Sequence, residues 1–211
     1  MTDQMTDRTS SARTGLPFWA KLLICLVVLF MGAAISGSFV GLMYIQRLSR
    51  EANDPAAILR NAAKIAQFPQ PLPEGYRFVL GLHLFYIVLV VIDHKSDHQQ
   101  MFIYCLRDAA GADQDAKNLL DRAYDVGLNT NSTTTKFKEL KSTGTAEVGG
   151  LVMPYRIGTY QDTSGKAAEG MVGCICVNKP IKNILIYSYP APGNAYNHDV
   201  TMNLLKSIKG F

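Results

Sequence analysis

Charged side chains are scarce in this sequence, at 18% of 211 residues, against roughly a quarter in soluble domains. Cysteine is scarce too. Four cysteines exclude a disulfide-dense scaffold, and 17 glycines are too few for a collagen-like chain. No G-x-S-x-G nucleophile elbow occurs. Neither G-x-x-x-x-G-K-[ST] nor G-x-G-x-x-G appears, so no phosphate loop is written in the sequence. No basic stripe is present. The net charge is +4 and the lysines and arginines are scattered, which argues against nucleic acid as a partner. What is present is apolar: 48% of residues, too many for disorder over most of the chain.

The missing charge has a location. Leu22–Ile45 is a run of 24 residues without one charged side chain. At 1.5 Å per residue a helix of that length reaches about 36 Å, enough to span a bilayer. Trp19 and Tyr44 stand near its two ends, where aromatic rings favour the interface. Gly32-Ala33-Ala34 resembles a signal cleavage site, but Ile35–Ile45 continues the apolar run, so an anchor is expected rather than a cleaved signal. Basic residues flank the run on both sides and give no orientation. A single early anchor followed by a folded domain places that domain outside the cytoplasm. Ala33, Gly37 and Gly41 recur every four residues, a stripe that lets helix backbones approach closely. It offers contact with a second copy or with another membrane protein; ordinary small-residue abundance is the alternative. The expected organisation is a disordered polar tail over 1–18, a transmembrane helix over 19–46, a short helix and proline-rich connector over 47–75, and a folded domain over 76–211.

Within the domain, Asp54-Pro55 reads as an N-cap followed by proline at the first helical position. Ile58, Ala62, Ile65 and Ala66 share one face, so 55–67 reads as an amphipathic helix. Pro69, Pro71 and Pro73 end it. Phe78–Ile92 has His83 as its sole polar side chain. It is about five residues short of a span, and its β-branched and aromatic residues favour a strand over 83–93. Met101–Leu106 returns as the other arm of a hairpin. Asp113 or Asp115 caps a helix that Gly127 closes, and a polar loop follows over 129–135. Strands are expected at 136–147, 151–160, 169–178 and 181–188, then a loop over 189–194 and a helix over 199–209. Hairpins dominate and no βαβ rhythm appears. The fold class is α+β: an N-terminal transmembrane helix followed by an antiparallel sheet covered by helices.

Candidate sites are few. Asp93, His94, Asp97 and His98 form the densest group of possible metal ligands; a solvated hairpin tip is the competing reading. His83, in its apolar run, reads as a buried, hydrogen-bonded histidine, since a catalytic one needs a carboxylate in reach. Tyr187, Tyr189 and Tyr196 flank a Pro/Gly loop and suit a recognition surface, unless Tyr187 packs in the sheet. Cys105 can pair with Cys174 or Cys176 if their strands adjoin; burial of all three as small hydrophobes is the alternative. Cys-x-Cys lacks structural zinc spacing, and no cofactor is expected.

Leu72-Pro73-Glu74-Gly75-Tyr76 after a short helix, the hairpin, and the closing Leu204-Leu205-Lys206-Ser207-Ile208-Lys209 resemble single-pass bacterial membrane proteins of planctomycete type. The layout is also similar to PsbP/Mog1-like domains, in which helices sandwich an antiparallel sheet. The resemblance covers residues 55–211 and implies a binding or assembly module more than an enzyme, with no catalytic residue to carry over. The leading expectation is therefore a membrane-anchored, non-catalytic binding or assembly module. The alternatives are an anchored hydrolase or metal-dependent enzyme using His83 or Asp93–His98, and a structural subunit of a membrane complex.

Overall fold

The apolar runs after residue 75, rich in β-branched and aromatic residues, assemble into one seven-stranded, wholly antiparallel sheet. The computed structural model describes residues 50–107, 115–126, 128–130, 133–135, 137–161, 165–178 and 181–211, all within the unit Leu48–Phe211. The expected tail and transmembrane helix, with Ala33, Gly37 and Gly41, lie outside the described residues. Among the described residues no helix is long and apolar enough to cross a membrane.

Helix α1 (Pro55–Ile65) begins as the sequence indicates. Asp54 accepts from the Ala56 and Ala57 amides, and Pro55 opens the first turn. Strands β1 (Tyr76–Leu84), β2 (Ile87–His94) and β3 (Gln99–Arg107) form a meander. Helix α2 (Ala116–Val126) and a small hairpin, β4 (Leu128–Thr130) with β5 (Thr133–Thr135), follow. A second meander runs through β6 (Phe137–Val148), β7 (Leu151–Gln161), β8 (Ala167–Asn178) and β9 (Ile181–Pro190). Helix α3 (His198–Ser207) comes last, with Asn197 as its N-cap. The strand order β1-β2-β3-β9-β8-β7-β6 joins the two meanders through β3 and β9.

Two faces bury two cores. The inner face carries Val88, Val90, Ile92, Met101, Ile103, Met153, Met171, Ile184 and Ile186 against α1 and the α3 residues Leu204 and Leu205. Gly81 fixes the approach of α1: a Cβ there would lie 2.7 Å from the Ile58 backbone, and the Asn61 amide donates to the Gly81 carbonyl at 3.3 Å. The outer face buries Tyr160, Val172, Cys174, Tyr187 and Tyr189 under the α2 residues Leu119, Leu120, Ala123 and Tyr124.

Several expectations need correction. The run Phe78–Ile92 is two strands, β1 and β2, folded at Phe85-Tyr86, not one strand over 83–93. The polar loop over 129–135 contains β4 and β5. Tyr189 and Pro190 belong to β9, not to the loop after it. The proline-rich connector packs on the domain: Phe68 and Leu72 lie against the inner core, and Gln67 exchanges backbone bonds with Lys209 and Gly210. Cys105 lies in the inner core, Cys174 and Cys176 belong to the outer layer, and β9 runs between their strands. No disulfide joins Cys105 to either.

Candidate functional site

The four candidate ligands of the β2–β3 turn do not converge. Asp93 accepts from Arg77 at 2.8 and 3.1 Å across the β1–β2 ladder. His94 packs its ring on Tyr76, with centroids 4.5 Å apart. Its Nδ1 lies 2.8 Å from an Asp97 carboxylate oxygen, an ion-pair distance without hydrogen-bond alignment, since that nitrogen has no hydrogen-bond partner. His98 is exposed, with a backbone φ of 48°. Among the described residues no group of three His, Cys, Asp or Glu side chains is placed to hold a metal ion. His83 is not buried as expected. It is exposed on the inner-face rim, with Nδ1 3.0 Å from the Lys64 ammonium.

Asp97 instead opens a polar network that the sequence does not reveal. Its carboxylate accepts from the Asn197 side chain at 2.8 Å. The Asn197 amide N–H donates to Gln99 Oε1 at 2.8 Å. Gln99 Nε2 faces three acceptors, the Asn197 carbonyl at 2.9 Å, Ser188 Oγ at 3.1 Å and Thr201 Oγ1 at 2.6 Å. Ser188 and Thr201 bond each other at 2.8 Å. Gln99, Ser188 and Thr201 are fully buried. Two amide hydrogens and two hydroxyls are shared within the cluster, so it clamps α3 to β3 and β9. Ser188 is buried with Gln99 and Thr201 as partners and has no base beside it, so it is not placed as a nucleophile.

The tyrosine candidates divide. Tyr187 and Tyr189 are 4% and 7% exposed, stacked with centroids 6.2 Å apart beneath α2. Tyr187 donates to the Ala123 carbonyl at 3.2 Å, whereas the Tyr189 hydroxyl is buried without a partner. Burial pushes both phenols above their ordinary range. Neither is presented to a partner. Tyr196 donates to Thr201 at 3.2 Å and lines a shallow pocket with Thr159, Glu169 and Asn194.

Among the described residues, a groove of about 370 Å³ between α2 and the β6–β7 ladder gathers charged and hydroxyl side chains, within the size range of small-molecule sites. Asp115 caps the first turn of α2 by accepting from the Lys117 amide at 2.9 Å. That turn sets exposed Lys117 at the groove, with Asp121 one turn on. Thr143 and Arg156 are cross-strand partners, as are Thr145 and Pro154, so their side chains share the outer face. Arg156 pairs with Asp121, and its guanidinium sits 5.3 Å over the Tyr124 ring. Burial raises the Tyr124 phenol while Arg156 opposes the shift. Two cations, one carboxylate and two hydroxyls thus line one concavity. No local pattern signals it, because Lys117 and Arg156 are far apart in the chain.

Comparison with family models, with curated proteins and with solved structures finds no match to this chain.

Proposed function

We propose that this chain is a membrane-anchored, non-catalytic binding or assembly module whose ligand seats in the groove between α2 and β6–β7. The observation that supports this reading is the mixed lining of the groove. Lys117 and Arg156 outnumber Asp121, and Thr143 and Thr145 add hydroxyls, with an apolar floor from Leu120 and Pro154. Such a site favours a group bearing a carboxylate or phosphate. It has hydrogen-bond donors and no nucleophile paired with a base. The 24-residue uncharged run Leu22–Ile45 supports the anchor, with the domain held outside the cytoplasm. The similarity of layout to PsbP/Mog1-like domains points toward binding and assembly.

The test is site-specific photocrosslinking. A benzophenone amino acid is placed at Thr143 of the full-length chain in its native membrane. One discrete adduct is expected, and Lys117→Glu is expected to abolish it. No adduct, or one indifferent to Lys117→Glu, removes the groove as the site.

A further inference from the structure

The β1–β2 turn breaks a local rule. Leu84 pairs with Ile87, so two residues, Phe85 and Tyr86, close the hairpin. Turns this tight need positive φ at a central position and favour Gly or Asn there. Phe85 holds that place with φ 51°. A bulky side chain in the left-handed region is strained, and burial does not account for its presence. Phe85 is 78% exposed, Tyr86 66% and Ile87 42%.

The surface behind the tip is apolar as well. On the outer face, Leu80, Leu82 and Leu84 pair across from Val91, Leu89 and Ile87. Phe102, Tyr104 and Leu106 continue the rows on β3; Phe102 and Tyr104 pack on the outer core and Val91 is buried, while Leu80, Leu82, Leu84 and Leu89 are part-exposed. A sheet face turned to water ordinarily alternates to polar residues. Here the first charges on that face are Arg77 and Asp93, at the far end. The tip is rimmed by cations. The Arg107 amide donates to the Tyr86 carbonyl at 2.9 Å, so Arg107 adjoins the tip, and Lys64 stands beside His83.

The tether limits where this surface can be. Nine residues, 46–54, separate the end of the uncharged run from α1. Fully extended, nine residues reach about 30 Å, and residues 50–53 are helical and shorter. On the anchored reading, that tether keeps the start of α1 within about 30 Å of the end of the run.

We propose that the β1–β2 tip, with the leucine-rich face behind it, seats the domain in the headgroup–acyl boundary of the bilayer. Aromatic rings favour that boundary, and the cationic rim meets anionic headgroups. This rests on the anchored reading, and the experiment separates the two. The full-length chain is reconstituted in phosphatidylcholine/phosphatidylglycerol vesicles, with and without lipids brominated near the headgroup. Trp19, the single tryptophan, reports the anchor in the native chain. Trp19→Phe with Tyr86→Trp reports the tip, and Trp19→Phe with Leu140→Trp, on exposed strand β6, is the control.

Bromination is expected to quench the Tyr86→Trp chain by about twofold, as for a ring at the interface, and to leave the Leu140→Trp control unchanged. Quenching of Trp19 without quenching of the Tyr86→Trp chain overturns the docking and keeps the anchor. A blue-shifted but bromine-insensitive Tyr86→Trp emission means that a second copy or another protein covers the tip, and also overturns it. If neither probe is quenched, both readings fall.

Discussion

The two turns that bound β2 are opposites. At one end, residues 95–98 lead into Gln99, whose side chain is completely buried and ties β3 to β9 and α3. At the other, the rings of Phe85 and Tyr86 are exposed, and Phe85 has a left-handed backbone. Polar chemistry is inside at the first turn and apolar chemistry is outside at the second, the reverse of the usual partition. The buried network fixes one end of the hairpin to the body. The tip has no such lock and presents a surface.

The comparison can be broken most forcefully at the locked end. Gln99→Leu leaves the Asn197 amide N–H without its acceptor and removes the Gln99 donor from the Asn197 carbonyl, Ser188 and Thr201. The two hydroxyls keep only their bond to each other and the one from Tyr196. An orphaned buried group costs about 1–3 kcal/mol and each lost bond about 1 kcal/mol. A loss near 3 kcal/mol is expected in denaturant unfolding of the detergent-solubilised chain; a loss under about 1 kcal/mol would show that α3 is held by its apolar face alone. Gly81→Ala tests the body to which the hairpin is fixed. Its methyl meets the Ile58 backbone, and overpacking of this kind costs about 1–3 kcal/mol. An unchanged midpoint would mean that α1 shifts freely on β1.

A paired substitution sharpens the contrast between satisfied and unsatisfied polar groups. Tyr187→Phe removes the bond to the Ala123 carbonyl and is expected to cost about 1 kcal/mol. Tyr189→Phe removes a buried hydroxyl that has no partner and is expected to be neutral or stabilising by up to about 1 kcal/mol. Equal effects would contradict the hydrogen-bond assignment. At the free end, Phe85→Gly relieves the left-handed strain, offset in part by the entropy of glycine in the unfolded chain. A net gain of about 0.5 kcal/mol is expected in detergent, with weakened bilayer contact. A loss of stability would mean that the ring packs on something.

The local parts of the fold were legible. Asp54-Pro55 gave α1 its start, Asp115 capped α2, and the expected ranges of the four later strands fall within two residues of the observed ones. The split of Phe78–Ile92 was not legible, because its turn contains no Gly, Pro, Asn or Asp. Phe85 and Tyr86 read as strand residues by propensity, and only the cross-strand register shows otherwise. The clamp was hidden for another reason. Gln99 meets Asn197 and Thr201 from the opposite end of the domain, and long-range hydrogen bonds leave no periodic trace. The groove shares this cause, since its cations come from α2 and β7. The metal candidates were drawn from sequence proximity alone, and strand pairing sent Asp93 to Arg77 while the turn brought Asp97 toward His94 and Asn197.

The junction between β3 and β9 also sets an order of events. Each meander closes on neighbours that follow soon in the chain, but the edge of β3 is covered only when β9 has been made. Until then β3 offers an unpaired edge with apolar side chains on both faces, the pattern most open to pairing with another chain. The last strand therefore does more than extend the sheet: it ends the interval in which the first meander is exposed to a wrong partner.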